Sequence, residues 1–154
     1  MTATTILVTG GAGYIGSHVV RQLGARGEPL VVLDRLITGF RDAVCYGDLV
    51  VGDTADAALV SRLLDEYRVD TVLHFAAHTI VPESVAEPLS YYGNNTCATR
   101  NLLACCQAAG VKHFIFSSTA AVYGIPAAGL ASKTSALALI NPYGSSKPIS
   151  DWML

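Results

Sequence analysis

An α/β fold built on a doubly wound parallel sheet is what this sequence predicts, and three observations predict it. Short apolar runs of strand length alternate with stretches of helical length along the 154 residues. The first run, Thr5–Thr9, passes into glycines spaced three apart, Gly10, Gly13 and Gly16, and then into helix-forming residues. The second run, Leu30–Asp34, ends on an acid about twenty residues beyond that turn.

Taken in order, strands are expected at Thr5–Thr9, Leu30–Asp34, and residues 49–51, 71–75 and 113–117. They are short and apolar on both faces, as strands are when helices cover the sheet from either side. The first helix is expected over about 14–25, with Ile15, Val19 and Leu23 on one face and Gly24 and Gly27 closing it. A second is expected over 55–67 and a long third over 89–109, stopped by Gly110. The stretch 125–140, rich in Ala, Ser and Gly, reads as a loop before "NPYGSSK".

Composition excludes several classes of function. With 51% hydrophobic residues the chain can bury one sizeable core. No apolar run approaches the ~18 positions of a membrane-spanning helix, and no basic segment precedes the first one, so a soluble, cytoplasmic protein is expected, with no membrane partner. The net charge is −2 with no basic cluster, which argues against a nucleic-acid partner. Cys45, Cys97, Cys105 and Cys106 lack metal or redox spacing and read as reduced thiols. His18, His74, His78 and His113 stand singly, so no metal is expected. The sequon Asn94-Asn95-Thr96 carries no meaning in a cytoplasmic chain.

The glycine turn and the acid after it define a candidate cofactor site of Rossmann type. Gly10, Gly13 and Gly16 allow a tight turn, approach of a pyrophosphate to backbone N–H groups, and close packing of helix on strand. The anion would sit at the helix N-terminus, over Tyr14 and Ile15, where unpaired N–H groups and the dipole favour it. Asp34 can accept both ribose hydroxyls of an adenosine and repels a 2′-phosphate, which favours NAD over NADP. Arg35 beside it is the opposing feature, because a guanidinium there can neutralise a 2′-phosphate.

The candidate chemistry lies near the other end of the chain. Tyr143 and Lys147 are four residues apart, so on a helix they share a face. A phenol of ordinary pKa about 10 is a poor base at neutral pH, and a neighbouring ammonium favours its phenolate. Lowering it by about 3 units takes roughly 4 kcal/mol, within reach of a lysine and a nicotinamide cation acting together in a low-dielectric site. Upstream, "FIFSSTAAVYG" ends a strand in Ser117, Ser118 and Thr119, at the carboxyl edge where ligands of such sheets bind.

Together, "VTGGAGYIGSH", "VVLDRLITGFRDAV", "GDTAD", "VDTVLHFAA", "VPESVAEPLSYYGNN", "GVKHFIFSSTAAVYG" and "NPYGSSK" resemble the extended short-chain dehydrogenase/reductases, and within them the UDP-glucose (UDP-galactose) 4-epimerases. The resemblance implies a sheet of strand order 3-2-1-4-5 and an NAD cofactor. It implies adenine contacts at Asp53 and Thr54, a cofactor wall from Phe75, Ala76 and Ala77, and further contacts from Asn94 and Ser117. Thr119 would hydrogen-bond the sugar oxygen, Tyr143 would act as the base, and Lys147 would hold the ribose. In the implied reaction Tyr143 removes the proton of the sugar 4-hydroxyl as hydride leaves C4 for NAD, and the 4-keto sugar turns over before the hydride returns. Ala120 and Ala121 stand where related dehydratases carry an acidic pair, which favours the epimerase. Thr79 departs from a position that is often lysine. The alternatives are a catalytically silent NAD-binding or sugar-sensing module, or another nucleotide-sugar epimerase or dehydratase.

Family members are about twice this long. The expectation is therefore a chain that lacks the C-terminal strands and the substrate domain, inactive by itself, from a UDP-sugar enzyme that forms a homodimer. The last residues, "SSKPISDWML", are expected to be the middle of the helix bearing Tyr143 and Lys147, so that the chain ends in mid-element. Pro148 inside that helix would remove one hydrogen bond, clash with the Gly144 carbonyl and bias Lys147 away from helical angles, at about 3 kcal/mol.

Overall fold

The computed structural model describes residues 4–126 and 129–154. Five parallel strands form one sheet, β1 (Thr5–Thr9), β2 (Leu30–Asp34), β3 (Asp48–Val51), β4 (Val69–His74) and β5 (His113–Phe116), in the order β3-β2-β1-β4-β5. That is the expected order, and β1 and β2 have the expected bounds. The predicted ends of β4 and β5 survive as single ladder bonds. The Phe75 N–H donates to Thr9 at 2.9 Å, and the Ser117 N–H donates to His74 at 3.1 Å.

The chain divides into two compact units. The first comprises the residues up to Ala77 together with Asn101–Ser117 and contains the whole sheet. Its core explains why the strands are apolar on both sides. On one face Leu7, Val31, Leu33 and Val72 pack with Val60, Leu63 and Leu64 of α2 (Ala57–Glu66) and with Leu102, Cys105 and Cys106. On the other face Val8, Val32 and Leu73 pack with Val20 of α1 (Tyr14–Gly24). Helix α2 starts two residues later than expected because Asp56 caps it, its side chain accepting from the Leu59 N–H at 3.0 Å. All four cysteines are free, and burial pushes the Cys106 thiol up to about 12, consistent with an inert core residue.

The second unit comprises His78–Arg100 and Ser118–Leu154. It opens with α3 (Val81–Ala86), a helix the periodicity did not foresee. Six residues are too few to establish a repeat, although Pro82 and Glu83 in its first turn are ordinary helix-start signals. The long helix expected over 89–109 is three segments in succession: α4 (Pro88–Tyr91), a π-helical segment Tyr92–Cys97 and α5 (Ala98–Ala109). Short 3-10 turns cover Arg41–Ala43 in the first unit and Ala120–Tyr123 in the second.

The last helix, α6 (Pro142–Asp151), is capped by Asn141, whose side chain accepts from the Gly144 N–H at 2.7 Å. Pro148 lies inside it, as expected. The backbone runs on through Lys147 and Pro148 to Asp151, and the Trp152 N–H closes onto the Pro148 carbonyl at 2.9 Å. Trp152 stands at the C-cap position. Among the described residues no helix is long and apolar enough to cross a membrane, and no cluster of side chains is arranged to hold a metal.

Candidate active site

In the first unit, the turn from β1 to α1 is shaped by two glycines. Gly10 has φ +71°, and a Cβ there would lie 2.5 Å from the Ala76 backbone nitrogen. At Gly16 a Cβ would lie 2.2 Å from the Gly10 carbonyl oxygen, so only glycine lets the helix settle onto the turn. Gly13 is the N-cap and provides no side chain over the helix end. The first turn carries no acid, and Tyr14 and Ile15 are 83% and 55% exposed. The result is a cradle of open backbone N–H donors at the positive end of a helix, and it fits a pyrophosphate.

Asp34 sits at the end of β2 with its carboxylate held by two backbone donors, the Ala12 N–H at 3.0 Å and the Leu36 N–H at 2.8 Å. Leu36 reaches that oxygen through a left-handed backbone, φ 57°. Each carboxylate oxygen keeps a further acceptor position for a ribose hydroxyl. Arg35 forms an ion pair with Asp53 at 3.1 Å. The other Asp53 oxygen accepts from the Ala55 N–H at 2.9 Å. Thr54 is buried, and its carbonyl accepts from Asn101 at 2.7 Å. Sequence reasoning did not single out Asn101; its signal was an amide inside an otherwise apolar helical stretch. Phe75, Ala76, Ala77 and Ser117 are half-buried at the carboxyl ends of β4 and β5. His74 is buried and hydrogen-bonded through its ring to the Thr9 hydroxyl, which makes it part of the structural core.

In the second unit, α6 places Tyr143 and Lys147 one turn apart. Lys147 is 3% exposed, and burial lowers its ammonium to about 8, with Asp151 acting in the opposite direction. The half-buried Tyr143 ring meets Tyr91 in an edge arrangement, centroids 6.5 Å apart and planes at 81°. Tyr91 is fully buried; its hydroxyl donates toward Glu83 and the Ile80 carbonyl, each at 2.8 Å, and accepts from the Ile80 N–H at 2.9 Å. Burial and the Glu83 carboxylate push that phenol up to about 12, so it stays neutral.

Thr119 caps the 3-10 turn by accepting from the Ala121 N–H at 3.2 Å, which leaves its hydroxyl proton to donate. It also lines a cavity of about 550 Å³ with Tyr123, Asp151 and Trp152, but neither Tyr143 nor Lys147 borders that space. The Asn94 amide donates to the Asn95 side chain at 3.0 Å. Asn95 is the residue that sequence reasoning passed over. Its carbonyl oxygen accepts from the His78 N–H at 2.8 Å, and its amide donates to the His78 carbonyl at 2.9 Å and to Ser146 at 3.0 Å. It thereby ties α6, beside Lys147, to the π-helical segment.

This arrangement belongs to a known class. The chain is a member of the NAD dependent epimerase/dehydratase family, which it matches over residues 6–154. Within that class it is similar to a UDP-glucose 4-epimerase of Azospirillum brasilense, 48% identical over 150 residues, which cover 97% of this chain and 43% of that protein. The crystal structure of UDP-glucose 4-epimerase from Brucella ovis in complex with NAD matches with a TM-score of 0.94 at 43% identity, over 99% of this chain and 47% of that one. A dTDP-glucose 4,6-dehydratase from Streptomyces venezuelae, with NAD and TYD bound, matches with a TM-score of 0.89 at 38% identity, over 97% of this chain and 50% of that one. The chain thus spans about half the length of these relatives.

Proposed function

We propose that the protein carrying this chain interconverts UDP-glucose and UDP-galactose by NAD-dependent epimerisation at C4. The observation that carries this reading is Tyr143 on α6 with a buried Lys147 one turn further on. A lysine lowered only to about 8 is still mostly charged at neutral pH. It therefore sets a positive charge one turn from the Tyr143 hydroxyl-bearing side chain on α6.

When bound, NAD supplies a reversible two-electron acceptor for C4 of the sugar. The residues of this chain do the rest. Gly10, Gly13 and Gly16, with the N–H groups of Tyr14 and Ile15, hold the pyrophosphate. Asp34 takes the adenosine ribose, Asp53 and Thr54 take the adenine, and Phe75, Ala76 and Ala77 form the wall. Asn94, Ser117 and Lys147 serve the nicotinamide half. Tyr143 accepts the proton of the sugar 4-hydroxyl and later returns it, while Thr119 hydrogen-bonds the same oxygen. Ala120 and Ala121 offer no carboxylate to drive loss of water, which favours epimerisation over the reaction of the dehydratase relative.

The relatives' remaining length supports one further part of the reading. The 154 residues alone are expected to be inactive, since orientation of the sugar can supply ~7–11 kcal/mol of catalysis. The whole protein is expected to be a cytoplasmic homodimer, which light scattering and cell fractionation test. The central test is Tyr143→Phe, which should lower turnover by roughly 10²–10⁴-fold, the usual worth of a positioned acid/base, and leave NAD affinity nearly intact. Interconversion at near the unsubstituted rate would sink the assignment of the base. Binding of NAD with no turnover by the unsubstituted protein would favour the silent binding module.

A further inference from the structure

We propose that Asp53 sets the preference for NAD over NADP by acting on Arg35, an inference that rests on the cofactor reading above. Two features at the end of β2 oppose each other. Asp34 repels a 2′-phosphate, while Arg35, next in sequence, is the kind of residue that accommodates one. The structure shows what Arg35 does instead. Its guanidinium lies 3.1 Å from the Asp53 carboxylate. That carboxylate is itself steadied by the Ala55 N–H at 2.9 Å, and the side chains of the pair are 40% and 36% exposed.

The charges then add to a definite field. Asp34 and Asp53 contribute two negative charges and Arg35 one positive, so the group is net negative toward an incoming phosphate. Arg35 is drawn toward Asp53, away from the role that would offset Asp34. Neutralising Asp53 changes both factors at once: the group becomes net neutral, and the guanidinium loses its ion pair with Asp53. An exposed pair is worth little in stability, so the fold should tolerate the change. A binding ratio for two ligands that differ by a phosphate responds to the same small energy directly.

The experiment is calorimetric titration of NAD and NADP into the protein carrying this chain, at low ionic strength where exposed charges are least screened. Asp53→Asn keeps the shape and a hydrogen-bonding group. It should lower the NAD-to-NADP affinity ratio by roughly threefold to tenfold, since any loss of the adenine contact at Asp53 falls on both nucleotides alike and cancels in the ratio. Arg35→Gln should raise the ratio. The deciding measurement is the double substitution, because a residue acting through a partner loses that part of its effect once the partner is gone. In the Arg35→Gln background, Asp53→Asn should lower the ratio by much less than it does beside Arg35. An equal fall of the ratio in both backgrounds overturns the proposal, since Asp53 would then act on the phosphate directly. An unchanged ratio in Asp53→Asn overturns it as well. If the unsubstituted protein binds neither nucleotide, the cofactor reading itself fails and takes the proposal with it. Melting temperatures of the variants within a few degrees of the unsubstituted protein exclude misfolding as the cause.

Discussion

The two units of this chain are held together by different physics. In the first, the buried residues are Leu7, Val8, Val31, Val32, Leu33, Val60, Leu63, Leu64 and their neighbours, an apolar interior spread over both faces of a parallel sheet. In the second, Ser84, Asn95, Thr99, Ser146, Lys147 and Ser150 are buried beside Tyr91, Ala98 and Val122. One unit is stabilised by area removed from water, which is non-directional and forgiving of small rearrangement. The other depends on particular hydrogen bonds, each costly to leave unmade. The apolar unit carries the backbone cradle, and the polar unit carries the titrating side chains. A lysine can be kept at 3% exposure, and still charged at neutral pH, only where polar partners are close.

Three substitutions would break or sharpen this contrast. The largest effect is expected in the apolar unit. Leu63→Ala should cost about 2–5 kcal/mol, the sum of lost transfer energy and a cavity, and should lower hydrogen-exchange protection across the strands. In the polar unit, Asn95→Leu puts a branched apolar side chain in place of the amide and so strands the His78 N–H and the His78 carbonyl and removes the donor to the Ser146 hydroxyl. We expect a loss of about 2–4 kcal/mol, with exchange rising first in α6. A leucine that stabilises this site would show that the second unit is held by packing after all.

The smallest effect is a pH dependence. Lys147 titrates at about 8 in the fold and near its ordinary ~10.4 in the unfolded chain. Below about 8 both states are protonated and the full cost of keeping the charge buried is present. Between those values the unfolded chain binds more protons, so the stability of the fold rises with pH. From about pH 8 to about 9.5 the unsubstituted protein should gain roughly 1.5 kcal/mol relative to Lys147→Met in denaturant titrations. A constant difference between the two over that range would mean that Lys147 is not titrating there.

The first unit was largely legible in the sequence, and the second only in part. Strands buried on both faces announce themselves as apolar runs, and β1 and β2 fell where the runs fell. The glycine turn was legible because a missing side chain is itself the local signal. In the second unit, α3 has six residues, too few for a period to emerge. The π-helical segment looks, residue by residue, like the helix on either side of it. Asn95 reads as a solvent-facing amide until α6 is brought against it. Pro148 was expected to strain its helix because a proline removes a donor and clashes one turn back. In the folded unit Ser146, Lys147, Pro148 and Ser150 are all buried, and the helix continues.

By itself, then, the sequence determined the alternation of strands and helices, the glycine turn, the acid at the end of β2 and the one-turn spacing of Tyr143 and Lys147. These depend on the geometry of neighbours a few residues apart, which the order of residues specifies directly. Only the tertiary structure decided that Arg35 answers to Asp53, that Asn95 anchors α6, and that Lys147 lies out of water with its ammonium lowered to about 8. Burial and charge pairing are properties of segments distant in sequence that meet in space, so no local pattern of residues encodes them.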